Sequence, residues 1–303
     1  MDLLVHKYKP KKLSDIIGSK NNLETLNSLI KSKSFPHLMF TGPPGTGKTT
    51  SAKLIAKILL NDSSAILELN ASDDRGIDTV RTNIKDFCMR SIKNVPFKII
   101  ILDECDSMTV NAQQAMRRIM EVNSDTCKFI LICNNSAKIF EPIQSRCAVL
   151  KFEKLFVRPR LQEIIQKENI RINDDAIEFI IDTSDGDMRQ CLNILQLCVN
   201  YPNIITEDYL VKLIGVPSPK LLKDFLNTLN EDINEGIKKF EDIWKQKYDP
   251  EDLISSLFRI AKNEENYELI KIIGMTHLKI VKGSNSKLIF YGMFYDIINI
   301  ERT

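Results

Sequence analysis

His37-Leu38-Met39-Phe40-Thr41, running into Gly42-Pro43-Pro44-Gly45-Thr46-Gly47-Lys48-Thr49-Thr50, is an apolar stretch that ends in a glycine-rich loop. The apolar part has the length of a buried strand, and the loop matches G-x-x-x-x-G-K-[ST]. Glycines let the backbone curl so that successive N–H groups point inward at phosphate oxygens. Lys48 supplies a point charge for the β- and γ-phosphates and Thr49 a hydroxyl for Mg²⁺. The helix that begins there adds its positive end. Apolar spacing over 48–60 predicts that helix. A strand, a phosphate loop and a helix in this order point to an α/β fold that binds a nucleotide, with Gly42 to Thr50 as its phosphate contacts.

Outward from this unit, strand-like runs alternate with helical patterns up to about residue 152. The further strands are expected at 66–69, 97–102, 128–133 and 148–152, with amphipathic segments around 77–90 and 111–121 between them. That alternation predicts a five-stranded parallel sheet flanked by helices. Beyond Phe152 the strand signals stop. Helical periodicity covers 156–169, 174–184 and 187–200, then resumes over 220–230, 233–247, 250–263, 267–281 and 287–299. Gly215-Val216-Pro217-Ser218-Pro219 reads as the linker between the two helical groups.

Composition narrows the class. Hydrophobic residues make up 43% and charged residues 27% of the chain, as in a folded protein with a sizeable core. No apolar run approaches the ~18 residues of a membrane span, and the opening MDLLVHKYKP lacks a secretory or transit pattern. These features point to the cytosol or nucleus. The seven cysteines show no CxxC spacing and read as small packed side chains, which argues against zinc. The net charge is only +2, so a nucleic-acid surface must be local.

Ile99-Ile100-Ile101-Leu102-Asp103-Glu104-Cys105-Asp106 is a second apolar strand, ending in Asp-Glu. Asp103 belongs at the Mg²⁺ shell, and Glu104 is then free to polarise an attacking water. No guanine-reading N-K-x-D element occurs, which favours ATP. Asn134, Arg146 in Gln144-Ser145-Arg146-Cys147, and Arg189 in Gly186-Asp187-Met188-Arg189-Gln190 read, on spacing alone, as ordinary surface groups. Arg81 and Lys85 share a helix face at i, i+4, with Arg75 just before the helix. They form either a solvated basic face or a phosphate-tracking one.

Together these stretches resemble a family. VHKYKP (5–10), DIIG (15–18), the phosphate loop, ELNASDDRGID (68–78), LDECDSMT (102–109), QQAMRR (113–118), CNNS (133–136), QSRC (144–147) and GDMRQ (186–190) resemble AAA+ ATPases of the clamp-loader clade, specifically the small subunits of replication factor C. The likeness runs the full length and implies a nucleotide-binding domain over 1–153, a helical lid over 154–214 and an all-helical collar over 215–303. It implies that Val5, Tyr8, Pro10, Ile17 and Gly18 cradle adenine and ribose, and that Asn134 positions the hydrolytic water. Arg189 would sense the γ-phosphate from the lid, and Arg146 would act in trans on a neighbour's ATP. Catalysis would rest on Lys48, Asp103, Glu104, Asn134, Arg146 and Arg189, with Mg²⁺ on Thr49 and Asp103. The implied partners are four other replication factor C subunits in a heteropentamer, the sliding clamp PCNA, and primer–template DNA bound without sequence preference through Arg75, Arg81 and Lys85. The implied location is the nucleus, with no membrane. Two departures from the family's V-E-K-Y-R-P stand at His6 and Lys9, where Lys lacks the planar fork of Arg. Two other readings compete: an ATP-binding scaffold subunit that need not hydrolyse, and another AAA+ machine such as an initiator or branch-migration helicase. The all-helical ending disfavours the last.

Overall fold

The structure is a computed structural model, and it describes residues 3–18, 20–32, 35–72, 77–93, 95–283 and 286–300. In chain order the strands are β1 (His37–Thr41), β2 (Ile66–Asn70), β3 (Lys98–Asp103), β4 (Cys127–Cys133) and β5 (Cys147–Lys151). The helices are α1 (Leu4–Lys7), α2 (Lys20–Ser32), α3 (Lys48–Leu59), α4 (Ile77–Met89), α5 (Val110–Val122), α6 (Glu141–Gln144), α7 (Arg158–Lys167) and α8 (Asp174–Ser184). They continue as α9 (Met188–Cys198), α10 (Glu207–Ile214), α11 (Pro219–Glu231), α12 (Ile233–Lys245), α13 (Pro250–Asn263), α14 (Tyr267–Val281) and α15 (Lys287–Ile300).

The five strands form one parallel sheet in the order β2-β3-β4-β1-β5. The three middle strands are apolar at nearly every position because both sheet faces are covered. Successive side chains alternate between the faces. Leu38, Phe40, Ile99, Ile101, Ile130 and Ile132 meet Leu26 of α2 and Ala52, Ile55 and Ala56 of α3 on one side. Met39, Ile100, Leu102, Phe129, Leu131 and Cys133 meet Ile84 and Phe87 of α4 and Met116 and Met120 of α5 on the other. This order places the C-terminal ends of β1, β3 and β4 side by side, where a doubly covered α/β sheet binds its ligands.

The observed strands match the expected ones with ends moved by one residue. Four helices were not anticipated: the four-residue α1 and α6, and the longer α2 and α10. α2, KNNLETLNSLIKS, is polar on average, and only its Leu23-Leu26-Leu29-Ile30 stripe packs on the core. α10 is short, but Thr206 caps it by accepting from Tyr209 N–H at 3.4 Å, and Gly215 closes it in the left-handed region at φ 74°. Pro219 proves to be the first residue of α11 instead of the linker's last, a position that needs no N–H donor.

The chain divides into two compact units, residues 1–164 with 184–196 and residues 165–183 with 197–303. In the second, Phe225, Phe240, Phe290 and Phe294 form the centre of the α11–α15 bundle, with Trp244 against it. Gly236 lets α12 close on α11: a Cβ there would lie 2.6 Å from Leu229 Cα. Among the described residues no helix is long and apolar enough to cross a membrane. Six of the seven cysteines are buried and Cys147 is half-buried, all as free thiols, as their reading as packing residues expected.

Candidate functional site

β1 ends against a loop that only glycine can follow. Gly42 and Gly45 adopt φ of 147° and 67°, and each faces a close neighbour. A Cβ on Gly42 would stand 2.0 Å from the Phe152 carbonyl oxygen, and one on Gly45 would stand 1.8 Å from Asp187 Oδ1. Thr46 is buried and donates from Oγ1 to Pro43 O at 2.9 Å, while Ser51 donates to Gly47 O at 2.9 Å. The loop is thereby pinned at both ends, with α3 starting from Gly47 in the left-handed region.

Lys48 is the first residue of α3 and is 6% exposed. Its Nζ donates to Gly42 O at 2.6 Å, Pro43 O at 2.7 Å and Asn134 Oδ1 at 3.0 Å. Burial lowers its pKa, and the Asp103 carboxylate opposes that shift. Thr49 donates from Oγ1 to Asp103 Oδ2 at 2.7 Å, so a hydroxyl and a carboxylate stand together at the end of β3. Asp103 Oδ1 accepts from Glu104 N–H at 3.0 Å. Glu104 sits at φ 54° in the left-handed region, which turns its side chain out of the strand path and leaves it exposed. Behind it, Asp106 Oδ2 accepts the N–H groups of Asn134 and Asn135 at 3.3 and 3.2 Å, tying the end of β4 to the end of β3. Cys105 is buried and donates to Leu102 O at 3.0 Å; burial pushes its thiol up, so its role is packing.

A cavity of about 440 Å³ opens over this loop. Its lining brings together Val5, Tyr8, Pro10 and Ile17 from the N-terminal segment, Pro44 to Thr50 of the phosphate loop, Asp103 and Glu104 after β3, Asn134 after β4, and Arg189 of α9. The volume suits a nucleotide-sized ligand. The donor set fits a triphosphate with a hard divalent cation: glycine-shaped backbone, one buried ammonium, and a hydroxyl beside a carboxylate. Arg189 is exposed on the first turn of α9, where its N–H bonds Asp187 Oδ1 at 2.8 Å. His6, Lys53, Met188 and Leu192 also line the cavity and were not anticipated there, while Lys9, whose departure from the family's arginine bears on contacts near the base, lines it as expected. Lys9 has its pKa lowered by burial and by Lys53, so the position departing from the family pattern faces the cavity. Lys53 was findable, since it lies one helical turn beyond Thr49.

The remaining expected residues fall elsewhere. Gly18 lines a smaller groove with Ile16, Asn22 and Phe152, while Gly42 and Pro43 give their carbonyls to Lys48 and do not line the main cavity. Arg146 also stands outside it, with its guanidinium on Pro142 O and on the Glu121 carboxylate. Lys85 is exposed on α4. Arg75 lies outside the described residues, and so does the side chain of Arg81.

Comparison with known proteins defines the family. The model for "ATPase family associated with various cellular activities (AAA)" matches residues 38–154, and an AAA+ ATPase lid model, described as "RCF1/5-like", matches 159–198. The model for "Replication factor C C-terminal domain" matches 217–295. Replication factor C subunit 4 of Encephalitozoon cuniculi is 55% identical over 304 residues, covering 99% of this chain and 98% of that protein. The chain belongs to the replication factor C small-subunit family. Subunit 4 of Saccharomyces cerevisiae is 43% identical over 298 residues, covering 94% of this chain and 92% of the relative. Within the family the chain resembles the small subunit numbered four in yeast naming and two in animal naming. Among solved structures, a single-residue variant of Thermotoga maritima RuvB superposes with TM-score 0.56 at 20% identity, over 83% of this chain and 92% of that one. That likeness is one of AAA+ fold. The replication factor C match over 217–295 replaces the initiator and helicase readings, because it covers the helical ending those readings could not explain.

Proposed function

We propose that this chain is an ATP-hydrolysing subunit of a heteropentameric clamp loader that places the sliding clamp PCNA on primer–template DNA in the nucleus. The observation that carries this is the convergence of Lys48, Thr49, Asp103, Glu104 and Asn134 at one cavity, in a chain of the replication factor C family.

In this reading Val5, Tyr8, Pro10 and Ile17 hold adenine and ribose, the backbone from Pro44 to Thr50 holds the phosphates, and Gly18, Gly42 and Pro43, which stand outside the cavity, shape the chain around it. Lys48 exchanges its loop carbonyls for β- and γ-phosphate oxygens, a charge-assisted replacement for neutral acceptors. Thr49 and Asp103 would hold Mg²⁺, which when bound neutralises charge developing on the transferred phosphoryl group. Glu104, an exposed residue of the cavity lining, accepts a proton from the attacking water, and Asn134 orients that water. Arg189 reports the γ-phosphate to the helical segment that carries it. Arg146 serves the next subunit's site, as arginine fingers do in trans. Arg75, Arg81 and Lys85 contact phosphates of one DNA strand, giving salt-sensitive, sequence-independent binding. We place the domain boundaries at 153/154 and 214/215, with the collar holding the ring together.

The test is reconstitution with the four partner subunits. Lys48→Ala should abolish ATP binding at this site and slow clamp loading at least tenfold. Loading at the native rate would refute the motor reading. Glu104→Gln separates it from a scaffold role: a scaffold subunit loads normally with this change, whereas a motor subunit binds ATP and stalls.

A further inference from the structure

Arg146 is not free at the surface. Its Nη1 donates to Pro142 O and its Nη2 pairs with Glu121 on the last turn of α5. Arg117, one turn earlier on the same helix, donates from Nε to the same Glu121 oxygen at 3.0 Å. Arg117 first, and Arg146 after it, hold the Glu121 carboxyl below the usual carboxylate range. The Arg146 and Glu121 side chains are 33% and 37% exposed, so an approaching surface can reach both.

We propose that Glu121 is a positioning residue for Arg146: it clasps the guanidinium against its own subunit until a neighbour's nucleotide phosphate replaces the carboxylate. This rests on the reading of Arg146 as a trans-acting arginine. An arginine keeps its charge at every working pH, so its availability is governed by partner exchange and not by protonation. A half-exposed carboxylate pair is weak enough to exchange, and it biases the arginine by a factor of about 1.5 to 5. A nucleotide phosphate offers more charge and, like a carboxylate, a pair of oxygens that a guanidinium can bridge, so it displaces Glu121 once the subunits are in register. While register is incomplete the clasp keeps Arg146 home and suppresses idle hydrolysis.

The test uses the assembled five-subunit complex carrying Glu121→Gln, which keeps the shape of the side chain and removes its charge. The expected result is a DNA-free ATPase rate raised about two- to fivefold, with Glu121→Asp between it and the native rate. A rise that disappears in an Arg146→Ala background is required. A second readout is independent of turnover. In the full-length isolated chain the ¹⁵N Nε–H signal of Arg146 should be sharp, and Glu121→Gln should broaden it. A DNA-free rate at or below native, or a rise that persists with Arg146→Ala, overturns the clasp. If Arg146→Ala alone leaves the complex's ATPase unchanged, the trans-acting reading falls and the clasp with it. If Arg146→Ala slows the complex while Glu121→Gln acts equally in both backgrounds, only the clasp falls.

Discussion

Gly45 and Asp187 make the tightest approach in the site, and replacing Gly45 by Ala measures what that approach is worth. Gly45 sits at φ 67°, where an added Cβ costs about 1–2 kcal/mol. The same Cβ would lie 1.8 Å from Asp187 Oδ1, so the carboxylate must leave. Asp187 is the cap of α9, accepting Arg189 N–H at 2.8 Å and Gln190 N–H at 3.1 Å, and losing a cap costs about 1 kcal/mol. Gly45→Ala should therefore destabilise the first unit by about 2–3 kcal/mol. Asp187→Ala alone should cost about 1 kcal/mol. Because both changes lose the same cap, the double variant should fall short of additivity by about 1 kcal/mol. Urea unfolding followed by circular dichroism gives the stabilities. The single tryptophan, Trp244, lies in the other unit and does not report on this one. Hydrogen exchange at the Arg189 and Gln190 amides gives the cap directly, and both should exchange faster in either single variant. Additivity within about 0.3–0.5 kcal/mol would show that Asp187 is not what Gly45 makes room for.

Two further perturbations probe the sheet that supports the site. His37 is buried, accepts Phe129 N–H on Nδ1 at 3.1 Å, and has its pKa lowered to about 4 by burial and by Lys128. Between pH 6.5 and about 4 the unfolded chain binds a proton that the folded chain refuses, so stability should fall by about 3 kcal/mol as pH drops through that window; His37→Asn should remove this slope, and an unchanged pH profile would refute the assignment. Lys98, 6% exposed, donates to Phe87 O at 3.0 Å, Cys88 O at 2.6 Å and Arg90 O at 2.7 Å, closing the end of α4. Lys98→Met should cost about 2–3 kcal/mol and speed amide exchange across α4, and native protection there would count against it.

The parts of the site that are legible in the sequence are those whose chemistry is local. Lys48 and Thr49 follow the glycines that shape the loop, and Asp103 and Glu104 close an apolar strand. In a parallel sheet, strand ends converge, so two such motifs imply one site before any coordinate is known. The strands were legible for a related reason: β1, β3 and β4 are buried on both faces and write themselves as unbroken apolar runs. α2 and α10 were not, because a polar helix with one narrow apolar stripe and an eight-residue helix carry too little periodicity to stand out.

Arg146 marks where locality ends. The resemblance implies that it acts on another chain, yet its contacts here, Pro142 and Glu121, are set by how α6 and β5 pack beside the end of α5. Glu121 is twenty-five residues away in sequence, and nothing in its own neighbourhood distinguishes it from any other helix-surface glutamate. Asp187 differs in lying inside the GDMRQ stretch (186–190), yet its adjacency to Gly45 is equally invisible there, because it depends on a segment far along the chain returning to the phosphate loop. In both cases a motif residue, Arg146 or Gly45, stands against a carboxylate that the fold brings from far along the chain. A motif conserves the atoms that meet the nucleotide; restraint needs only a charge at the right distance, which many sequences can supply. Carboxylates beside motif arginines and glycines are therefore where a structure adds most to a family assignment, and Glu121 and Asp187 are two among the described residues that such variants can separate.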